Sequence, residues 1–267
     1  LANVKNKADD SLFLFMHIPK TGGTSLTQLL LHRFPKLVYY FEVADDQTLL
    51  LEKLQEADAF CGHYPFGLHS FTSRPYRYMT MLRDPVEQII SYFYFKYKNP
   101  KYPASYNIGI TLDYFVNDDS FDLEYVNLQT RFVSGELCTT QPDLELAKAN
   151  LRNYFDFIGI TERYADSQFL LSRQMGWKLK SYPRLNETPN RVRQSECAAE
   201  TIERIKAKNA ADMKLYRYAL ELLDQKTSRA FSCANEGAPQ IQQSLAICCK
   251  KAPSDLIVRF LMGLSLV

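Results

Sequence analysis

The stretch Leu12-Phe-Leu-Phe-Met-His17-Ile-Pro19-Lys20-Thr21-Gly22-Gly23-Thr24-Ser25-Leu26 decides the architecture. Leu12–Ile18 is an uninterrupted apolar run, apart from His17, closed by Pro19, which predicts a strand buried on both faces. Two glycines follow, and residues 24–34 then take up a helical period. Strand, glycine turn and helix in that order make the opening unit of an α/β fold. The turn is also built to hold an anion. Glycines let backbone N–H groups approach an oxyanion, and a helix start adds unpaired donors and the positive end of its dipole. Lys20 supplies a mobile charge, and Thr21, Thr24 and Ser25 supply hydroxyls. The lysine precedes the glycines, so the loop is not a GxxxxGK[ST] phosphate loop. A bare Gly-Gly turn with a threonine cap is the plainer alternative.

Working outward, strands and helices alternate. Residues 37–41 predict a strand, 45–57 a helix, 59–61 a strand, 62–73 a loop, 76–82 a strand, and 85–97 a helix with proline in its first turn. Residues 98–110 form a loop, 112–116 and 123–133 short helices, and 143–154 a helix. A strand at 155–160 and a helix at 164–175 follow, then a polar loop over 181–194. Residues 195–223 are helical, in one or two pieces, and 226–239 form a weak linker. The expected fold is a three-layer, P-loop-like α/β structure with a mainly parallel sheet flanked by helices. A domain over residues 1–225 and an extension over 226–267 packed on it are expected. Ligands in such sheets sit beyond the carboxyl ends of the strands.

Composition narrows the function. The charge balance of +2 offers no global basic field for nucleic acid. The apolar tail at 256–267 is too short for a bilayer and carries Arg259. The six cysteines contain no CxxC pair, which argues against a zinc or thioredoxin-type site. The sequon at Asn186 is a chance-level signal.

A second basic element lies at Arg83-Asp84-Pro85, with Ser91 eight residues past the arginine. A guanidinium fork at a strand's carboxyl end and a hydroxyl two turns into the next helix suit a phosphate. An Arg83–Glu87 surface pair is the alternative.

Together these elements resemble sulfotransferases that use 3′-phosphoadenosine 5′-phosphosulfate (PAPS), most closely the heparan sulfate 2-O/6-O type and its bacterial relatives. The resemblance rests on residues 19–25 and 83–91. It continues through Gly62-His63, Asn127–Gly135, Phe157–Tyr164 and Asn209–Tyr216, and spans about residues 12–225. It implies sulfuryl transfer from PAPS, leaving PAP, to a hydroxyl or amine of a carbohydrate or small metabolite, without a metal. It assigns Lys20, Thr21, Gly22, Gly23, Thr24 and Ser25 to the 5′-phosphosulfate, and Arg83 and Ser91 to the 3′-phosphate. Lys20 and His63 become the catalytic pair, with His63 as base, since an imidazole titrates near neutrality. His69 is the rival base. Where some relatives carry a second histidine, this chain has Cys61. In related folds a basic late loop closes over the nucleotide, which implies that role for Arg191, beside Arg193; a solvated surface loop is the alternative reading of these arginines.

Arg131 suits either an anionic ligand or a structural ion pair. Trp177 and the tyrosine-rich 92–106 stretch suit either ring stacking or core packing. Arg74, Arg77, Lys96, Lys98 and Lys101, or Phe66, Phe71, Tyr102 and Tyr106, are candidate acceptor contacts. A nucleotide kinase with an atypical phosphate loop and a non-catalytic PAP- or glycan-binding module are the alternative functions. The expected compartment is the bacterial cytoplasm, or the Golgi lumen if a membrane anchor precedes this stretch.

Overall fold

The structure is a computed structural model and describes residues 11–40, 46–99, 109–177 and 191–236. Five strands form one all-parallel sheet in the order β2-β3-β1-β4-β5. They are β1 (Leu12–Met16), β2 (Leu37–Tyr39), β3 (Ala59–Gly62), β4 (Tyr76–Leu82) and β5 (Phe155–Ile160). All five residues of β1 are buried, as its central place between β3 and β4 requires. Parallel neighbours need crossovers. Helix α1 (Gly23–Arg33) links β1 to β2, and α2 (Gln47–Glu56) links β2 to β3.

A long excursion separates β4 from β5. It contains α3 (Pro85–Tyr97), α4 (Leu112–Asn117), α5 (Asp122–Tyr125), α6 (Leu128–Ser134) and α7 (Leu144–Tyr154). After β5 come α8 (Tyr164–Met175), α9 (Ala199–Lys208) and α10 (Ala210–Glu236). The main core joins the sheet to α1, α2, α6, α7, α8 and α10. A second apolar cluster, built by Ile89, Ile90, Phe93, Phe115, Tyr125 and Ile205 among others, ties α3, α4, α5 and α9 together.

The helix starts follow local chemistry. Asp84 accepts from Glu87 N at 3.0 Å with Pro85 in the first turn of α3, and Asp46 caps α2 through Leu49 N at 2.9 Å.

Two sequence expectations fail. Residues 123–133 do not form one helix. Asn127 takes a left-handed conformation (φ 49°) and breaks the run into α5 and α6. The reason is a reciprocal cap with the start of α10. Asn127 Oδ1 accepts from Ala211 N and Asp212 N, while Asn209 Oδ1 accepts from Asn127 N at 2.8 Å. The expected linker from Lys226 is also wrong as far as Glu236, because α10 continues through it. Buried Thr227 and the contacts of Lys226 with the carbonyls of Phe155 and Asp156 hold that turn against the sheet.

Asp212, also buried, completes the cap by accepting from Gln129 N (3.0 Å), Thr130 N (2.7 Å) and the Thr130 hydroxyl (2.6 Å). Asp212→Ala removes the cap and leaves buried donors without an acceptor. It should cost roughly 2–4 kcal/mol of stability, read as a lower urea midpoint at unchanged slope.

Candidate active site

Every element of the site meets at the carboxyl ends of β1, β3, β4 and β5. The loop after β1 is fixed in shape by contacts from three directions. Lys20 has φ 64°, a conformation that costs a non-glycine residue energy and persists only where neighbours enforce it. Gln88 of α3 donates to Pro19 O at 2.8 Å, and Arg83 donates to Lys20 O at 3.1 Å. The Thr161 hydroxyl, just past β5, donates to Thr21 O.

Gly22 is the N-cap of α1 at φ 77°. At Gly23 a side-chain carbon would lie 2.2 Å from the His17 ring, so glycine is the residue that fits. The backbone N–H groups of Gly23, Thr24 and Ser25 therefore occupy the unpaired first turn of α1.

Thr21 behaves differently from expectation. Its single hydroxyl proton goes to Ile18 O at 2.9 Å and the residue is fully buried. Thr21 shapes the loop rather than offering an outward hydroxyl. Thr24 is half-buried and Ser25 is buried.

Positive charge converges on this loop. Burial, then Arg83 and Arg191, lower the Lys20 pKa to about 8. The Lys20 ammonium lies 3.9 Å from the centre of the Phe95 ring. Glu87 receives both Arg83 (3.4 Å) and Arg191, and the Arg83 Nε lies 3.7 Å from Glu162. Arg191 thus reaches the cluster, although residues 178–190 of its loop lie outside the described residues. Ser91 is buried on α3.

Gln129 is a site residue that the sequence did not single out. Its amide binds both backbone groups of Arg83, accepting from Arg83 N at 3.0 Å and donating to Arg83 O at 2.8 Å. A buried side-chain amide here does the work of a neighbouring strand where β4 ends. The only advance signal was its place in the Asn127–Gly135 segment.

The histidines separate cleanly. His63, just past β3, is exposed, and its Nδ1 lies 2.5 Å from His17 O. A carbonyl oxygen can only accept, so Nδ1 carries the proton and the neutral ring keeps its lone pair on Nε2. His17 packs beside it, with ring centres 4.8 Å apart. Burial, His63 and Lys20 drive the His17 pKa down to about 3, so this ring is neutral at physiological pH. His69 is elsewhere, among Phe66, Tyr76, Tyr78 and Tyr154, with its Nδ1 3.2 Å from the Tyr78 hydroxyl. Tyr78 is five residues before Arg83 on an extended strand, which separates the two backbone positions by about 16 Å. Cys61 is buried beside the Thr27 hydroxyl (3.3 Å), and burial pushes its thiol up to about 11, so it stays protonated.

Several other candidates serve the fold. Arg131 donates to the carbonyls of Leu123 and Leu137, so it joins two backbone segments. Arg74 closes the end of α2 through the carbonyls of Leu54, Gln55 and Ala57. Arg77 pairs with Asp156, and Lys96 with Glu124. Trp177 is buried against Phe13 and Phe34, and Phe66 lies in the His69 cluster. Lys98 lies over Phe93, and Phe71 is exposed. Lys101, Tyr102, Tyr106 and the sequon at Asn186 lie outside the described residues.

Among the described residues no group of three or more His, Cys, Asp or Glu side chains could hold a metal ion. No described helix is long and apolar enough to cross a membrane.

Comparison with known proteins places this arrangement. The sulfotransferase family profile matches residues 6–219, which include every described strand and the whole loop after β1. The chain belongs to the sulfotransferase family. Among its relatives are heparan-sulfate 6-O-sulfotransferase 1 of Cricetulus griseus and of Homo sapiens, each 25% identical over 81% of this chain and covering 68% and 66% of those proteins. Heparan-sulfate 6-O-sulfotransferase 2 of Danio rerio is 26% identical over 81% of this chain and 59% of its own length. Membership makes this chain a PAPS-dependent sulfotransferase. The site fits such a cosubstrate. Burial first, and then the nearby Arg83 and Arg191, depress the Lys20 pKa, and a polyanion would relieve the repulsion among the three cations.

Proposed function

We propose that this sulfotransferase moves the sulfuryl group of PAPS to a hydroxyl of a carbohydrate or small metabolite, with His63 as general base. The observation that carries this reading is the bond between His63 Nδ1 and His17 O, which leaves Nε2 as an exposed base beside the anion loop. The acceptor oxygen forms a bond to sulfur as the bond from sulfur to the bridging oxygen breaks. The electron pair leaves on the 5′-phosphate of PAP. His63 Nε2 takes the acceptor's proton, and the Lys20 ammonium meets the charge growing on the leaving oxygen. The N–H groups of Gly23, Thr24 and Ser25 hold the donor's oxygens. Arg83, Ser91 and Arg191 receive the 3′-phosphate, with Arg191 exchanging Glu87 for the ligand. A carbohydrate hydroxyl is supported by the relatives, whose names specify 6-O sulfation of heparan sulfate.

Two measurements test this. The first is calorimetric titration of PAP without metal, with ATP–Mg²⁺ as control, followed by PAPS turnover with heparan-type oligosaccharides and with simple alcohols. Tight PAP binding and sulfated product support the reading, whereas ATP–Mg²⁺ binding without PAP binding would favour a kinase. The second is Arg83→Ala. It should weaken PAP about 10- to 100-fold, the loss expected for a charge-assisted phosphate contact. Adenosine 5′-phosphosulfate, which lacks the 3′-phosphate, should lose much less. Equal losses would remove Arg83 from the 3′-phosphate.

A further inference from the structure

Phe95 has no part in the transfer chemistry above, yet it touches the group that matters most. Its ring lies under the Lys20 ammonium, 3.9 Å from centre to nitrogen, and Phe95 is 36% exposed. Helix α3 brings Gln88 and Phe95 to one face, two turns apart, and this face meets the anion loop at consecutive residues: Gln88 at Pro19 O and Phe95 at Lys20. Among the described residues, the charged or titratable groups that act on Lys20 are Arg83 at the end of β4, Arg191 ahead of α9, and His17 at the end of β1. None of them attracts an ammonium, and Glu87 on α3 is engaged by the two arginines. The negative face of the ring attracts the ammonium against this positive surrounding.

We propose that Phe95 is a positioning residue for Lys20: its ring holds the ammonium charged and in place at the anion loop before the donor arrives. Burial, then Arg83 and Arg191, depress the Lys20 pKa, and the negative face of a ring acts in the opposite direction. The catalytic meaning of this inference rests on the assignment of Lys20 to the donor.

The test separates the two. Competitive labelling with trace acetic anhydride, read peptide by peptide in a mass spectrometer, gives the reactivity of Lys20 against pH in the whole protein without any ligand. Phe95→Leu should move its inflection about half to one pH unit lower, the size of a lost cation–π contact. Phe95→Tyr keeps a ring with the same quadrupole and should restore the wild-type curve. An unmoved inflection in Phe95→Leu, in protein that melts as the wild type does, overturns the proposal. So does an equal shift in Phe95→Tyr, because the position would then act through packing alone. The donor assignment is read separately from PAP affinity: unchanged binding in Lys20→Ala would refute that assignment while leaving the labelling result standing.

Discussion

His63→Ala should lower sulfuryl-transfer turnover about 10²- to 10⁴-fold, the range for loss of a positioned general base, and leave PAP affinity unchanged. The split between turnover and affinity follows from where the ring stands. His63 touches the backbone oxygen of His17 and the His17 ring, and no hydrogen bond links it to Arg83 or Arg191. Its removal opens no core cavity because the side chain is exposed. His63→Asn, whose amide nitrogen stands where Nδ1 did and can still donate to His17 O, should retain the fold and remain as slow as the alanine variant. Steady-state turnover and calorimetry on the same preparations check this. Wild-type turnover in either variant would remove His63 from the chemistry. His69 offers no substitute, since its ring is engaged with the Tyr78 hydroxyl in an aromatic cluster well down β4.

Lys20→Ala produces a loss of a different shape. Turnover should fall about 10²- to 10³-fold, as for removal of one preorganised charge donor at a developing oxyanion, and PAP binding should weaken with it. The pH dependence identifies the lysine. Its pKa in the free protein is about 8, lowered first by burial and then by Arg83 and Arg191. A bound polyanion raises that value. Its contribution to binding is thus complete below pH 8 and is lost as the pH climbs through the value in the complex. Between these limits PAP binding takes up a proton. Calorimetry in buffers of different ionisation enthalpy should detect that uptake near pH 8 to 9 in the wild type and not in Lys20→Ala. An identical proton uptake in both would assign the titration to another group.

The sequence by itself determined a large part of this protein. The order of strands and helices was legible because each signal is local. An unbroken apolar run marks β1, Asp84-Pro85 starts α3, and Gly22-Gly23 ends the loop after β1 at a helix. The parallel sheet followed from alternation alone, and the family from two short motifs at strand ends. The tertiary structure decided what depended on distant partners. The break at Asn127 arises from a cap exchanged with residues more than 80 positions away, so no window of residues around it carries the information. The same holds for Gln129, which grips the backbone of Arg83 across 46 residues, and for Arg74 and Arg131, whose guanidinium groups serve backbone carbonyls rather than a ligand. A charged or polar side chain has the same spelling whether it meets solvent, backbone or substrate. Only the folded distances distinguish these fates, and only they give His63, among four histidines, a fixed tautomer beside the loop.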